Sequence, residues 1–449
     1  MGRLFGTDGA RGIANTELTP ELAMNIGRAA AMVLVNKQTK HPKVLIGKDT
    51  RLSSDMLEGA LTAGLCSVGA NVIKLGVVPT PAVAYLVGKY EADAGIMISA
   101  SHNPFEFNGI KIFNRDGFKL PDKLEEEIES IVLDNSQPYP KLSGAMLGCV
   151  TDANTAVDDY TTHVISTVDY TLDGMEIALD CSNGSSSRTA EKLFTTLGAK
   201  CHMLFDKPNG VNINDNCGST HMENLMNYVK QHKLDCGMAF DGDADRCLAV
   251  DENGDLVDGD FIIAICAQDM KNRNVLDNNA VVGTILTNMG FNKFCDNEGI
   301  KFVGTKVGDR YVLETMRAEG YNLGGEQSGH VIFLDYSTTG DGQMTAAQLL
   351  SMMNRRKEKL STMAKLMTRM PQVMINVNVT NEGKLRLDSD EVIQNELSKA
   401  AQKLGDRGRI LVRPSGTEPL IRVMTEGSDK DEISTIAESI AQIIEDRLS

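Results

Sequence analysis

The run Asp241-Gly242-Asp243-Ala244-Asp245-Arg246 carries the sharpest chemical signal in the chain. Three carboxylates at i, i+2 and i+4 in a glycine-containing loop can converge on one hard cation, which prefers oxygen ligands. An isolated Asp-Gly pair is usually a solvated turn. Three aspartates in register directly after the apolar run 234–240 are not explained that way. An EF-hand fails on two counts, although Glu252 stands twelfth when Asp241 is first. Its sixth position is Arg246 where that loop needs glycine, and the preceding segment has the pattern of a strand. An arginine beside a metal site suits an anion shared between the two, such as a phosphoryl group.

Four other loops carry weaker signals. In Ile98-Ser99-Ala100-Ser101-His102-Asn103-Pro104 an apolar strand delivers serines into a turn closed by Asn-Pro, with Asn108, Gly109 and Lys111 beyond. Taken alone it reads as an ordinary polar turn. Adjacent Ser and His rarely have triad geometry, and there is no GxSxG elbow. Arg413-Pro414-Ser415-Gly416-Thr417-Glu418-Pro419, with Arg422 after it, can aim backbone N–H groups, hydroxyls and guanidinium groups at an anion. A hairpin turn with incidental arginines fits that segment about as well. Gly324-Gly325-Glu326-Gln327-Ser328-Gly329-His330 is a hydrogen-bonding patch suited to sugar hydroxyls, with a histidine able to move a proton near neutral pH. In Thr7-Asp8-Gly9-Ala10-Arg11-Gly12, Arg11 sits in a glycine-rich turn that by itself is no more than a chain-terminal loop.

These loops need elements to aim them. Residues 44–47 form an apolar run that ends at Lys48-Asp49-Thr50-Arg51. A helical stretch follows to residue 70, with Ser53 as its predicted N-cap. Residues 71–78 read as a strand up to Pro79-Thr80-Pro81; a short helix and the apolar run 94–98 come next. That alternation predicts βαβ units and a largely parallel sheet. It recurs as strand 176–179, helix 190–197 and strand 234–240, and again as helix 260–270 and strand 280–285. Beyond about residue 368 the pattern becomes α+β: strand 372–380, a polar helix, strands 409–412 and 420–424, and an amphipathic helix 430–448. A chain of 449 residues exceeds what one core supports, so two to four domains are expected. No low-complexity linker separates the blocks, which predicts loops converging on one cleft at strand C-terminal ends.

Composition narrows the function classes. A formal charge of −16, from 45 basic and 61 acidic side chains, is ill suited to nucleic acid or an anionic membrane. There is no tryptophan, which argues against a base-stacking platform. The start of the chain lacks a signal-peptide pattern and a myristoylation serine or threonine, and no apolar run is long enough to span a bilayer. Nine scattered cysteines without a CxxC pair read as reduced thiols of a cytoplasmic protein.

Taken together, the loops at 99–104, 241–246, 324–330 and 413–419 have the order and spacing of the α-D-phosphohexomutases. The chain resembles that family over essentially its whole length. The resemblance implies an α/β protein of three related domains with mixed sheets plus a C-terminal α+β domain, heart-shaped around a central cleft. The implied domains are 1–152 (phosphoserine), 153–253 (metal), 254–368 (sugar) and 369–449 (phosphate). Ser101 would carry the transferable phosphoryl group, and Asp241, Asp243 and Asp245 would hold Mg²⁺ beside it. Glu326 and Ser328 would contact the sugar. Arg413, Ser415, Gly416, Thr417 and Arg422 would hold the phosphate that is not reacting. Arg11, Lys111 and His330 would share charge stabilisation and proton transfer.

A hexose 1,6-bisphosphate would be intermediate and activator, and a phosphosugar the partner; a homodimer is compatible with the pattern. Gln327 stands where relatives acting on glucose or mannose phosphates more often carry a second Glu, which implies a glucosamine phosphate as substrate. Glucose or mannose phosphates are the nearest alternative. A metal-dependent phosphatase is the alternative from another class, but it needs no second phosphate clamp. Two segments depart from the family pattern: Phe105-Glu106-Phe107, where Tyr or Asp is more usual, and the serine-rich stretch 182–189, to which the sequence assigns no role.

Overall fold

The computed structural model describes residues 3–6, 8–34, 41–415 and 419–449. The chain divides into two compact units: Met1–Leu286 with Gly299–Leu366, and Thr287–Glu298 with Met367–Ser449.

The first unit holds three sheets. The first runs in spatial order Ala10–Ile13, Phe107–Asn114, Ala94–Ile98, Lys43–Lys48, Asn71–Val77 and Val150–Asp152. Its last four strands are parallel, as the alternation predicts. Phe107–Asn114 is antiparallel to both of its neighbours. The reason is chain length. The connection 99–106 is shorter than the dozen or so residues a parallel crossover needs, so the chain must turn straight back.

The other sheets repeat the device. In the second, ordered Leu256–Val257, Cys247–Val250, Cys236–Phe240, Glu176–Asp180, Lys200–Leu204, the chain reverses across 241–246. In the third, ordered Lys301–Thr305, Ala280–Thr284, Leu323–Gly325, Val331–Phe333, it reverses across 326–330. The strands that feed the first two reversals, Ala94–Ile98 and Cys236–Phe240, are buried at every position, as unbroken apolar runs between helical layers should be.

The second unit is α+β. Its antiparallel sheet runs Gln372–Asn378, Leu420–Gly427, Gly408–Pro414, and helix Lys430–Leu448 lays an isoleucine-rich face on it. Among the described residues no helix is long and apolar enough to cross a membrane.

One local expectation fails. Ser53 does not cap the helix after Lys48-Asp49-Thr50-Arg51. The helix is Leu52–Ser67, Arg51 occupies the cap position, and no side chain caps it. Ser53 instead lies in the first turn, where its Oγ accepts from Asn108 Nδ2 at 2.9 Å. The N-terminal segment is also no loose turn. Ala10–Ile13 pairs with Phe107–Asn114, and the buried Glu129 carboxylate accepts the amides of Arg3, Leu4 and Phe5 at 3.0, 2.7 and 2.8 Å.

Burial alone raises the Glu129 pKa, but the three amides and Arg3 outweigh it and lower the group from its usual value. A carboxylate depressed in the folded state adds stability above its unfolded pKa of about 4.3, and that stability is lost as pH falls through the lower folded value. Glu129→Ala is therefore expected to cost about 1–3 kcal/mol at neutral pH. It should also speed amide exchange at residues 3–5 and flatten the acid limb of stability measured by denaturant titration. Unchanged exchange at residues 3–5 would show that the carboxylate does not hold the segment.

Candidate active site

The reversal after Ala94–Ile98 is fixed mainly through backbone carbonyls. Ser99 Oγ donates to Asp49 Oδ2 at 2.7 Å and accepts the Ser101 amide at 3.0 Å. Ser101 has φ +53°, in the left-handed region that a serine rarely adopts. Its carbonyl accepts from Arg51 Nη2 at 2.9 Å and Asn214 Nδ2 at 2.8 Å, and the Asn103 carbonyl accepts from the same two groups at 2.9 and 3.0 Å. Arg51 is buried and paired with Asp49 at 2.8 Å. Held in this way, Ser101 Oγ donates to Asp241 Oδ2 at 2.6 Å and lies 3.3 Å from His102 Nδ1. Burial, with help from Arg246 and Arg11, lowers the His102 pKa to about 4, so the ring is neutral at physiological pH.

The aspartate loop is packed against this turn without room for a side chain. A Cβ on Gly242 would sit 2.5 Å from the Ser101 carbonyl oxygen, and one on Gly184 would run into the Gly242 carbonyl. The serine-rich stretch thereby acquires a physical account. It backs the loop, with the Ser185 amide donating to the Gly242 carbonyl at 2.8 Å and the Asn214 amide to the Ser182 carbonyl at 2.9 Å.

Asp241, Asp243 and Asp245 are all buried, and one carboxylate oxygen from each falls within 4.8 Å of the others. Asp243 Oδ2 accepts from Thr80 at 2.6 Å and Lys111 at 2.8 Å, while Asp243 Oδ1 and Asp245 Oδ1 are buried without a hydrogen-bond partner. Burial, Asp245 and Asp243 together push Asp241 well above the usual carboxylate range. Three crowded acids with orphaned oxygens fit a divalent cation, which would relieve the repulsion and supply the missing partner.

Cations and further acids surround this centre. Lys111, on the returning strand, is 1% exposed and lies 2.8, 3.1 and 3.4 Å from Asp243, Asp8 and Asp245. Burial acts to lower its pKa, but those acids outweigh burial and hold it protonated. Arg11 pairs with Asp8 and reaches Asn103 Oδ1 at 3.3 Å. A cavity of about 270 Å³ opens here, lined among others by Arg11, His102, Arg246, Glu326 and His330. His330 Nε2 accepts the Gly340 amide at 3.0 Å, which leaves the neutral ring's proton on Nδ1, 3.7 Å from Asp245 Oδ1. Ser328 Oγ is buried without a hydrogen-bond partner.

The first unit thus brings Ser101, the three aspartates, Arg11, Lys111, Glu326 and His330 together. It adds groups the sequence did not single out: Asp8, Arg51, Lys119, Asn214 and Asp309. Only Asp309, placed after Gly308 at the start of helix Asp309–Glu319, has a local signal of its own, a glycine before a helix opening with an acid.

In the second unit, Arg413 and Arg422 are directly opposed across paired strands, and the Ser415 amide donates to the Leu420 carbonyl at 2.8 Å. Like charges in register destabilise a sheet, and burial and Arg422 lower the Arg413 pKa. An anion bound between them would offset that repulsion. Gly416 and Thr417 lie outside the described residues, as does Thr7.

Comparison with known proteins adds to the geometry. Residues 2–139, 158–254 and 258–370 match alpha/beta/alpha domains I, II and III of phosphoglucomutase/phosphomannomutase, and 374–443 match its C-terminal domain. A phosphoglucosamine mutase of Clostridium novyi is 54% identical over 100% of this chain and 99% of its own. One of Acetivibrio thermocellus is 53% identical over the whole of both chains. Among solved structures, a phosphoglucomutase/phosphomannomutase family protein from Burkholderia thailandensis superposes with a TM-score of 0.83 at 23% identity, covering 99% of this chain and 98% of that one. Aspergillus fumigatus N-acetylphosphoglucosamine mutase, in complex with GlcNAc-6P and magnesium, superposes at 0.63 and 17% identity over 96% of this chain and all of that one. The order of the four matched domains, the mixed sheets and the full-length relatives agree: this chain belongs to the phosphoglucomutase/phosphomannomutase family.

Proposed function

We propose that the chain is a phosphoglucosamine mutase, interconverting glucosamine 6-phosphate and glucosamine 1-phosphate for amino-sugar and cell-wall precursor synthesis in the cytoplasm. The observation that carries this reading is Ser101 itself. A serine held at φ +53°, with Oγ 2.6 Å from an acid of a crowded buried triad, is a strained arrangement with no evident structural purpose. Full-length relatives at 53–54% identity bear the phosphoglucosamine mutase name.

In the forward direction phosphoserine 101 meets glucosamine 6-phosphate. The P–O bond to Ser101 Oγ breaks, a P–O bond to the sugar O1 forms, and the O1 proton ends on Oγ. The 1,6-bisphosphate turns over, and its 6-phosphoryl group returns to Oγ as the proton returns to O6. Phosphoryl transfer needs positioning and charge neutralisation more than covalent chemistry. Arg51 and Asn214 fix the direction of Oγ. Lys111, enclosed by Asp243, Asp8 and Asp245, stabilises charge on the transferring group. Arg246 and Arg11 line the cavity and can meet the phosphoryl oxygens, while Glu326 can accept from sugar hydroxyls. Mg²⁺ is the cation assigned to Asp241, Asp243 and Asp245, and when bound it neutralises charge on the transferring group. The opposed Arg413 and Arg422, with the Ser415 loop, are assigned to the phosphate that is not reacting.

The first test compares turnover of glucosamine, glucose and mannose 6-phosphates with a catalytic amount of hexose 1,6-bisphosphate present. Glucosamine 6-phosphate is expected to be the best substrate, and Ser101→Ala to lose on the order of 10³-fold or more with an unchanged fold by circular dichroism. Net release of inorganic phosphate, or near-normal turnover by the variant, would overturn the reading. The second test is Gly184→Ala. Its methyl displaces the backbone behind Gly242, so cation affinity by calorimetry and turnover should each fall about 10–100-fold. Gly88→Ala, whose Cβ meets nothing within 4 Å, is the control and should leave both unchanged.

A further inference from the structure

The cavity beside Ser101 is more acidic than a phosphate site requires. Four carboxylates line it: Asp8, Asp245, Asp309 and Glu326. Two of them are well matched by cations. Asp8 faces Lys119 at 2.7 Å, Lys111 at 3.1 Å and Arg11, and Asp245 belongs to the cation triad and faces Lys111. The other two each keep one oxygen to which no described residue donates. Asp309 Oδ2 accepts from Lys119 at 2.6 Å, but Lys119 is shared with Asp8, and Asp309 Oδ1 has no hydrogen-bond partner among the described residues. Glu326 Oε1 accepts only the Gly308 amide, at 3.2 Å, and Oε2 accepts nothing among the described residues.

A single turn aims both groups. Gly308, at φ +128°, presents its N–H to Glu326 and starts the helix whose first residue is Asp309. Burial pushes the Glu326 carboxyl up and the nearby charge of Asp309 adds to that, while His330 and Arg246 act against it. His330 Nε2 lies 3.6 Å from Asp309 Oδ2, but it accepts the Gly340 amide and makes no hydrogen bond to Asp309. Two acids that repel each other across a cavity, each with an unused oxygen, make a place for a cation small enough to enter with the sugar.

Resting on the mutase reading above, we propose that Asp309, with Glu326, forms an ammonium subsite that selects the protonated 2-amino group of glucosamine phosphates over the 2-hydroxyl of glucose phosphates. A hydroxyl can also donate to a carboxylate. An ammonium adds charge to each hydrogen bond, roughly doubling its strength, and removes the repulsion between the acids.

The test measures kcat/KM for glucosamine 6-phosphate and glucose 6-phosphate in the wild type and in Asp309→Asn, which keeps an oxygen for Lys119 but removes the charge. The ratio of the two values is expected to fall about tenfold or more in the variant, mainly through KM for the amino sugar. An equal loss on both sugars would overturn the proposal and leave Asp309 as an anchor for Lys119. If Asp309→Asn does not fold, calorimetry on the wild type decides. Glucosamine 6-phosphate should bind about tenfold or more tightly than its N-acetylated form and than glucose 6-phosphate, and equal affinities would overturn the subsite. Turnover of neither sugar by the wild type would strike at the mutase reading instead, while the binding comparison would still decide the subsite.

Discussion

The site depends on a restriction of chain length. Three times in the first unit an apolar strand is followed by too few residues to cross back over the sheet, so the chain reverses into an antiparallel neighbour. The three reversals are the segments that carry Ser101, the aspartate triad and Glu326 with His330. In the second unit Gly408–Pro414 pairs antiparallel with Leu420–Gly427, with Arg413 opposite Arg422. A tight reversal exposes polar backbone and side chains at a fixed strand end, where rigid pairing on both sides limits movement. It also explains why Lys111 belongs with Ser101. The returning strand places Lys111 opposite Met97, on the strand that has just delivered the serine.

The close approach of these reversals sets the next condition. Gly184, Gly242 and the Ser101 carbonyl meet with no space for a β-carbon between them, so the serine and the aspartates are positioned by main chain against main chain. Such contact tolerates little adjustment in a close-packed interior. It explains how Ser101 can remain in the left-handed region. Two buried donors, Arg51 and Asn214, each bind the same pair of carbonyls, and the strain is held by that network rather than by the turn alone.

Much of this was legible in the sequence, for identifiable reasons. The strand runs at 94–98 and 234–240 stand out because burial on both faces demands unbroken apolar residues, and the aspartates stand out because three acids rarely follow such a run. Helix Lys430–Leu448 has the bounds its periodicity predicts. What escaped depends on distance in sequence. Asp8, Lys119 and Asn214 matter because folding brings them to Ser101 or to one another, and nothing in their neighbours announces it; Asp309 had only the glycine before an acid-led helix to mark it. Ser53 misled because a serine ahead of a helix usually caps it, whereas here Arg51 takes the cap position and turns its guanidinium to the Ser101 loop. The serine-rich stretch stayed silent because its work is done by backbone amides and a glycine, and these leave little trace in side-chain chemistry.

The charge pattern links these points to substrate choice. Lys111 is enclosed by Asp8, Asp243 and Asp245, so its charge is largely balanced before any ligand arrives. Removing one member of such a buried set costs about 3–5 kcal/mol, because the remaining charges lose their partner. An incoming phosphoryl group therefore draws further positive charge from Arg246 and Arg11 at the cavity wall and from a cation between the aspartates. That leaves two acids of the cavity, Asp309 and Glu326, without a role in holding phosphate. For a neutral sugar bearing phosphate they would repel the ligand, and a protein with a net charge of −16 has no reason to add acids there. For a sugar phosphate that also carries an ammonium group, a cavity that offers both cations and donor-free carboxylate oxygens matches the ligand's own charges. The acidity of the cavity then becomes part of recognition.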